Sequence, residues 1–244
     1  MSVILIKSEH KRESNTWRLF TGNEIAAIFA EYILEHGDYD PERSAVLSTL
    51  VSSRLLQKQA SAYGVQHHAT ETGFKHLGNA ARRLQLDGNV KTLFAYEEAI
   101  GFMIGDFNCE KDGLSSLLLA TIILSNLGIS FSNYLNKIYR KYGWHLQYNS
   151  YYRGDNIKQV FEQVKARIKH IGYEHELVNA NILTIKLPEL TITLRASGTE
   201  PKLKFYSEQV FDYEEPDCVI KLRTRVQGIL DELLQGLGLH LKAD

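Results

Sequence analysis

Val90-Lys91-Thr92-Leu93-Phe94-Ala95-Tyr96-Glu97-Glu98 is a mostly apolar run of strand length that stops on two adjacent carboxylates. Upstream, Ala45-Val46-Leu47-Ser48-Thr49-Leu50-Val51 has the same length and character, and Leu55, Leu56 and Ala60 follow it with helical character. Downstream, a long apolar helix is predicted after Asp112-Gly113. Strand and helix alternate, which argues for an α/β layer with a mostly parallel sheet. Ligand groups in such sheets gather in loops at the carboxyl ends of strands, and Glu97 and Glu98 stand in that place. An ionised carboxylate only accepts hydrogen bonds, so the pair suits hydroxyl recognition; a solvated loop is the alternative.

Toward the amino terminus, Thr21-Gly22-Asn23-Glu24 has a hydroxyl and, three residues on, a carboxylate, the pattern of a capping box. Ile25, Ile28, Phe29, Tyr32 and Ile33 follow at helical spacing and stop before Gly37. Ahead of them, Val3-Ile4-Leu5-Ile6 and the charged stretch Lys7 to Glu13 read as a strand entering a hairpin turn. A lone strand needs partners, and none precede it.

A second unit is expected from about Gly143-Trp144-His145. It begins with a strand from Gln147 to Tyr152 and a helix with Ile157, Val160, Phe161, Val164 and Ile168 on one stripe. Strands follow at Ile182–Leu187, Leu190–Leu194 and Leu203–Tyr206, then a helix from Cys218 to Leu234. This order reads as a smaller α+β domain with an antiparallel sheet. Joining two of its strands is Arg195-Ala196-Ser197-Gly198-Thr199-Glu200-Pro201-Lys202-Leu203-Lys204. Arginine offers a planar fork to two phosphate oxygens, Ser197 and Thr199 carry donor hydroxyls, Gly198 lets backbone N–H groups turn inward, and Lys202 and Lys204 add charge. The bland alternative is a polar turn.

Lys plus Arg number 28 against 29 for Asp plus Glu, so no global basic field recruits nucleic acid or an anionic membrane, and any anion site is local. The cations near Lys202 also lack the aromatic platform that single-stranded nucleic acid needs. The two cysteines, Cys109 and Cys218, fit unpaired thiols in a reducing compartment. The longest apolar stretch, Leu117 to Leu124, is too short to cross a bilayer. A soluble, cytoplasmic protein without membrane or nucleic-acid partners is expected.

Five strings occur in order: Trp17-Arg18-Leu19-Phe20-Thr21-Gly22-Asn23-Glu24, Thr70-Glu71-Thr72-Gly73-Phe74-Lys75, Phe94-Ala95-Tyr96-Glu97-Glu98-Ala99-Ile100-Gly101, Lys111-Asp112-Gly113 and Arg195 to Lys202. Together they resemble the carboxyl-terminal half of the α-D-phosphohexomutase superfamily, in its phosphopentomutase and glucose-1,6-bisphosphate synthase branch. The resemblance implies a four-domain enzyme that moves a phosphoryl group between two hydroxyls of one sugar phosphate through a bisphosphate. Residues 1–16 would then be the stub of the second domain, 17–145 the sugar-binding third domain and 146–244 the phosphate-binding fourth.

By this resemblance Glu97 and Glu98 bind sugar hydroxyls, Thr72, Gly73 and Lys75 lie near substrate, and Lys111 neutralises phosphate or assists proton transfer. Lys75 also fits a surface lysine after a turn. The resemblance further implies Mg2+ and a sugar bisphosphate activator, with sugar phosphates as small-molecule partners. The family's Ser-His-Asn-Pro phosphoserine loop and Asp-x-Asp-x-Asp-Arg magnesium loop are not in these residues. Asp38-Tyr39-Asp40-Pro41-Glu42-Arg43 imitates the latter but follows the capping-box helix, where the family places its metal loop before it, and is read as a surface turn. The missing amino-terminal half is a further expected partner, and this chain alone is expected to be inactive. Ala99, where most phosphohexomutases have serine, weakens a hexose-only reading. The alternatives are a bisphosphate synthase and a non-catalytic sugar-phosphate-binding module.

Overall fold

The computed structural model describes residues 5–6, 18–198, 200–213 and 215–241. Val3, Ile4, the stretch Lys7 to Glu13, Trp17, Thr199 and the terminal Lys242-Ala243-Asp244 lie outside them. Two compact units, Met1–Gly143 and Trp144–Asp244, divide the chain.

In the first unit, β1 (Leu5–Ile6) pairs antiparallel with β2 (Arg18–Leu19). Helix α1 (Gly22–His36) opens with the expected capping box: the Glu24 N–H donates to Thr21 Oγ1 and the Thr21 N–H donates to Glu24 Oε2. It ends where Gly37 N–H donates to the Ile33 carbonyl, 2.9 Å away. The chain continues through β3 (Ser44–Thr49), α2 (Leu55–Ala62), β4 (Gln66–Thr70), α3 (Phe74–Gly88), β5 (Lys91–Glu97), β6 (Gly101–Ile104), α4 (Gly113–Leu127) and α5 (Phe131–Tyr142). The sheet order is β4-β3-β5-β6. β3 is buried along its whole length and runs parallel to both neighbours, while β6 turns back antiparallel against β5.

Four elements of this unit go beyond those expected from the sequence. β4 is Gln-His-His-Ala-Thr, without an apolar run; its strand geometry comes from backbone pairing to β3. Helix α3 buries only the stripe Phe74, Leu77, Gly78 and Ala81. β6 exists because the chain reverses at Glu98–Ile100 and pairs with β5. After α4 ends at Gly128, whose φ of 61° stops the helix, Ser130 caps α5.

The second unit runs β7 (Trp144–Arg153), α6 (Ile157–Ile171), β8 (His175–Asn179), β9 (Ile182–Leu187), β10 (Leu190–Ala196), β11 (Lys202–Phe211), α7 (Cys218–Leu234) and β12 (His240–Leu241). All pairs are antiparallel, in the order β12-β7-β11-β10-β9-β8. The stripes of α6 (Val160, Phe161, Val164, Ile168) and α7 (Leu222, Val226, Leu230, Leu233) share one core with Leu194, Leu203 and Phe205. Since side chains alternate along a strand, Arg195, Lys202 and Lys204 fall on the opposite face. The architecture is therefore an α/β layer followed by an α+β domain.

Candidate functional site

In the first unit the expected residues gather at the carboxyl ends of β3, β4 and β5. Glu97 is the last residue of β5, and Glu98, Ala99 and Ile100 form the turn into β6, with Glu97 opposite Gly101. Glu98 Oε2 accepts a 3.0 Å hydrogen bond from Thr49 Oγ1, a buried hydroxyl at the end of β3 that also meets Ser52 Oγ at 2.7 Å. Glu97 is half-buried, and its side chain makes no hydrogen bond or ion pair with another described residue. One carboxylate is thus anchored and its neighbour is available to a ligand.

The segment that caps α1 shapes this turn. A Cβ on Gly22 would lie 2.2 Å from the Glu98 carbonyl oxygen, so only glycine allows α1 to start there. Asn23 Oδ1 accepts from Tyr96 OH at 3.0 Å and from the Ser53 N–H at 3.0 Å, which fixes the residue before Glu97. Ile100 takes φ 64°, a left-handed conformation that a β-branched residue enters only under constraint.

Lys111 joins the same neighbourhood. Its Cδ lies 3.2 Å from where a Gly101 Cβ would be, so the side chain runs past the residue opposite Glu97, and Nζ stands 5.1 Å from the Phe74 ring centroid. Phe74 is flanked by Gly73 and Lys75 at the start of α3, which brings the Thr72–Lys75 loop, the Glu97 turn and Lys111 together. Gly73 has φ 110°, reserved for glycine, while Thr72 is half-buried and Lys75 exposed. The Lys111 loop is fixed from below by α3, where a Cβ on Gly78 would sit 2.1 Å from the Cys109 carbonyl oxygen. Asp112 caps α4 through the Leu114 and Ser115 N–H groups; hydrogen bonding, led by Ser115, holds its carboxyl below the usual range. Ile100, Gly101, Phe102, Lys111, Asp112, Gly113 and Ser116 line a cavity of about 230 Å³.

The second unit presents cations by strand register. Arg195 of β10 pairs with Lys204 of β11, which pairs with Tyr151 of β7; two residues along, Lys202 pairs with Arg153. The Arg195 and Lys204 side chains make no hydrogen bond or close ion pair with another described residue, though the Lys204 charge also helps hold the Glu200 carboxyl down. Lys202 Nζ contacts Glu200 Oε1 at 2.7 Å and stands 4.6 Å from the Tyr151 ring centroid, and this pairing with Lys202 holds the Glu200 carboxyl below its usual range. Ser197 Oγ accepts from the Glu200 N–H, and the Ser197 N–H donates to the Lys202 carbonyl. Gly198 is exposed and lies outside the left-handed region, and a Cβ there would meet nothing within 4 Å. Open space therefore lies over this part of the loop. Ser197, Gly198, Glu200 and Pro201 share a cavity of about 400 Å³ with Asn156–Gln159 at the start of α6, an end of the helix favourable to anions.

Among the described residues no three His, Cys, Asp or Glu side chains converge as a metal site. Asp40 instead accepts from the Glu42 N–H in an exposed 3-10 turn, Pro41–Arg43. Arg153, Tyr151 and Thr49 are contributors outside the motifs, and Gly22 and Asn23, quoted there for capping, contribute to the site as well. Strand alternation could have placed Arg153 and Tyr151 on the face of Lys202 and Lys204; nothing local marks Thr49.

Residues 21–142 match the model of phosphoglucomutase/phosphomannomutase, alpha/beta/alpha domain III. The chain belongs to this family. It is 30% identical over 266 residues to human glucose 1,6-bisphosphate synthase, covering 92% of this chain and 42% of that protein. It is 32% identical over 240 residues to human phosphopentomutase, covering 81% and 39%. Among solved structures, the phosphoglucomutase parafusin of Paramecium, in its open form, superposes with a TM-score of 0.69 over 88% of this chain and 41% of that one, at 17% identity. The chain thus spans about two fifths of the length of these relatives and corresponds to their carboxyl-terminal half.

Proposed function

We propose that this chain supplies the sugar- and phosphate-recognising half of a phosphomutase, an enzyme that moves a phosphoryl group between two hydroxyls of one sugar phosphate through a bisphosphate. Two loops of opposite sign carry the reading. Glu97, whose side chain has no partner among the described residues, accepts from sugar hydroxyls, with Glu98 held beside it by Thr49. Arg195 and Lys204, whose side chains are not tied up in hydrogen bonds with described residues, grip the phosphate ester with Ser197 and Lys202. The open space over Gly198 suits backbone N–H groups approached closely by an anion. Thr199 belongs to this set by its place in the motif.

Phosphoryl transfer rests on positioning and on cations at the moving group. Lys111, held against Gly101, is assigned phosphate neutralisation or proton transfer at the sugar oxygen. Where Mg2+ is used, it stabilises charge on that group; the described residues of this chain do not form its ligand set, and no step here runs through it. Pentose phosphates are the favoured substrates, on the strength of Ala99 and the phosphopentomutase similarity. Formation of glucose 1,6-bisphosphate is the second reading, favoured by the 92% coverage against the synthase.

Calorimetry of the purified chain with ribose 5-phosphate and glucose 6-phosphate tests the recognition half. Millimolar binding that disappears in Arg195→Ala is expected; binding unchanged in that variant removes the phosphate site. A coupled mutase assay with glucose 1,6-bisphosphate and magnesium tests the division of labour, and turnover by this chain alone would overturn it.

A further inference from the structure

The loop assigned to the phosphate carries an anion of its own. Glu200 lies within it, and its Oε1 stands 2.7 Å from Lys202 Nζ. The Lys202 side chain is only 16% exposed, and an ammonium so far withdrawn from water needs a counter-charge. Lys202 first, and then Lys204 and Arg153, hold the Glu200 carboxyl below its usual range, so this one carboxylate stands in the field of three cations. The Glu200 N–H is spent as well, on Ser197 Oγ at 3.2 Å. Two groups assigned to the ester, Lys202 and Ser197, are thus bonded to one internal residue, and a third, Lys204, feels its charge.

We propose that Glu200 is an internal competitor of the phosphate ester for Lys202, so that ligand affinity is set by how readily this carboxylate lets go. The proposal rests on the phosphate-binding reading of the loop and adds what regulates it. Two features suit the exchange. The Glu200 side chain is 46% exposed and can swing into water without disturbing the core. Lys202 Nζ lies 4.6 Å from the Tyr151 ring centroid, a contact that keeps the ammonium in place after the carboxylate has gone. The direction favours the ester, because a phosphate monoester carries close to two charges near neutral pH and a carboxylate one. The competitor lowers apparent affinity by the fraction of time that it leaves Lys202 free, a factor of about three for an ion pair of ordinary surface strength.

The test is calorimetry with ribose 5-phosphate on the 244-residue chain at fixed salt, in the parent, Glu200→Gln, Lys202→Ala and the double variant. Glu200→Gln is expected to bind about threefold more tightly than the parent. That gain is expected to vanish when Lys202 is alanine, because nothing is then left to compete for. Glu200→Ala, which cannot keep a hydrogen bond to Lys202, is expected to gain at least as much. A gain of equal size with and without Lys202 overturns the proposal, since it marks plain repulsion by a nearby charge. Unchanged or weaker binding in both Glu200 variants overturns it too and makes the residue a brace of the loop. Arg195→Ala separates this inference from the function: binding that is lost in Arg195→Ala but indifferent to Glu200 leaves the phosphate site standing and removes only the competitor. Absence of binding in every form, the Glu200 variants included, removes the site and the competitor with it.

Discussion

In the first unit Gly22 and Gly78 sit where another segment's carbonyl oxygen already occupies the Cβ position, whereas Gly198 in the second unit's loop has nothing within 4 Å. The difference reflects two ways of placing chemistry. Parallel strands end in separate loops, so Glu97, Lys75 and Lys111 are aligned only if those loops press against helices, and close backbone contact does this. Antiparallel strands bring side chains into register by their own hydrogen bonding, so Arg195, Lys204 and Tyr151 share a rung without help from the loop. One site depends on contact, the other on alternation.

The largest effect expected from this contrast is on stability. Gly22→Ala and Gly78→Ala should each cost about 3 kcal/mol, the upper range for overpacking, less the gain in helix propensity. Urea denaturation of each variant checks this. Losses under 0.5 kcal/mol would break the contrast at its root.

Next is a pH effect confined to the first unit. His67 lies in β4 with Nε2 2.9 Å from Ser48 Oγ, and burial, reinforced by His68, pushes its pKa down from 6.5 to about 4. The unfolded chain therefore binds this proton first. Stability from the neutral imidazole is complete above pH 6.5 and is lost as pH falls toward 4, amounting to about 2 kcal/mol by pH 5. The urea midpoint should fall over this range and flatten in His67→Gln; an identical slope in the variant would show that other groups titrate.

Smaller still, Lys202→Ala should weaken ribose 5-phosphate binding about tenfold, as loss of one charge-assisted contact does, with little change in stability because its partner Glu200 is exposed. The smallest stability effect belongs to Gly198→Ala, within about 0.5 kcal/mol of the parent. Calorimetry on that same variant sharpens the comparison: weakened sugar-phosphate binding in a protein of unchanged stability identifies the open space as ligand space.

The contrast also explains what the sequence made legible. α1 was readable because its boundaries are local, a capping box and a glycine stop, and α6 and α7 because their apolar stripes keep helical period. β4 was not, since two histidines replace the apolar run and pairing with β3 supplies the order. Glu97 stood out by its place after a strand, but the role of Gly22 did not, because the atom it makes room for is 76 residues downstream. Arg153 lies 49 positions from its neighbour Lys202, a distance that only knowledge of sheet order bridges.

Ile100 holds its positive φ at the tip of the β5–β6 hairpin, facing the Lys111 cavity. Asparagine or glycine would adopt that shape with less distortion, so a library selected only for heat resistance ought to discard the isoleucine early. A library selected for ligand binding that retains it would reveal a trade, in which durability at one hairpin tip is surrendered to keep a branched wall on the Lys111 cavity.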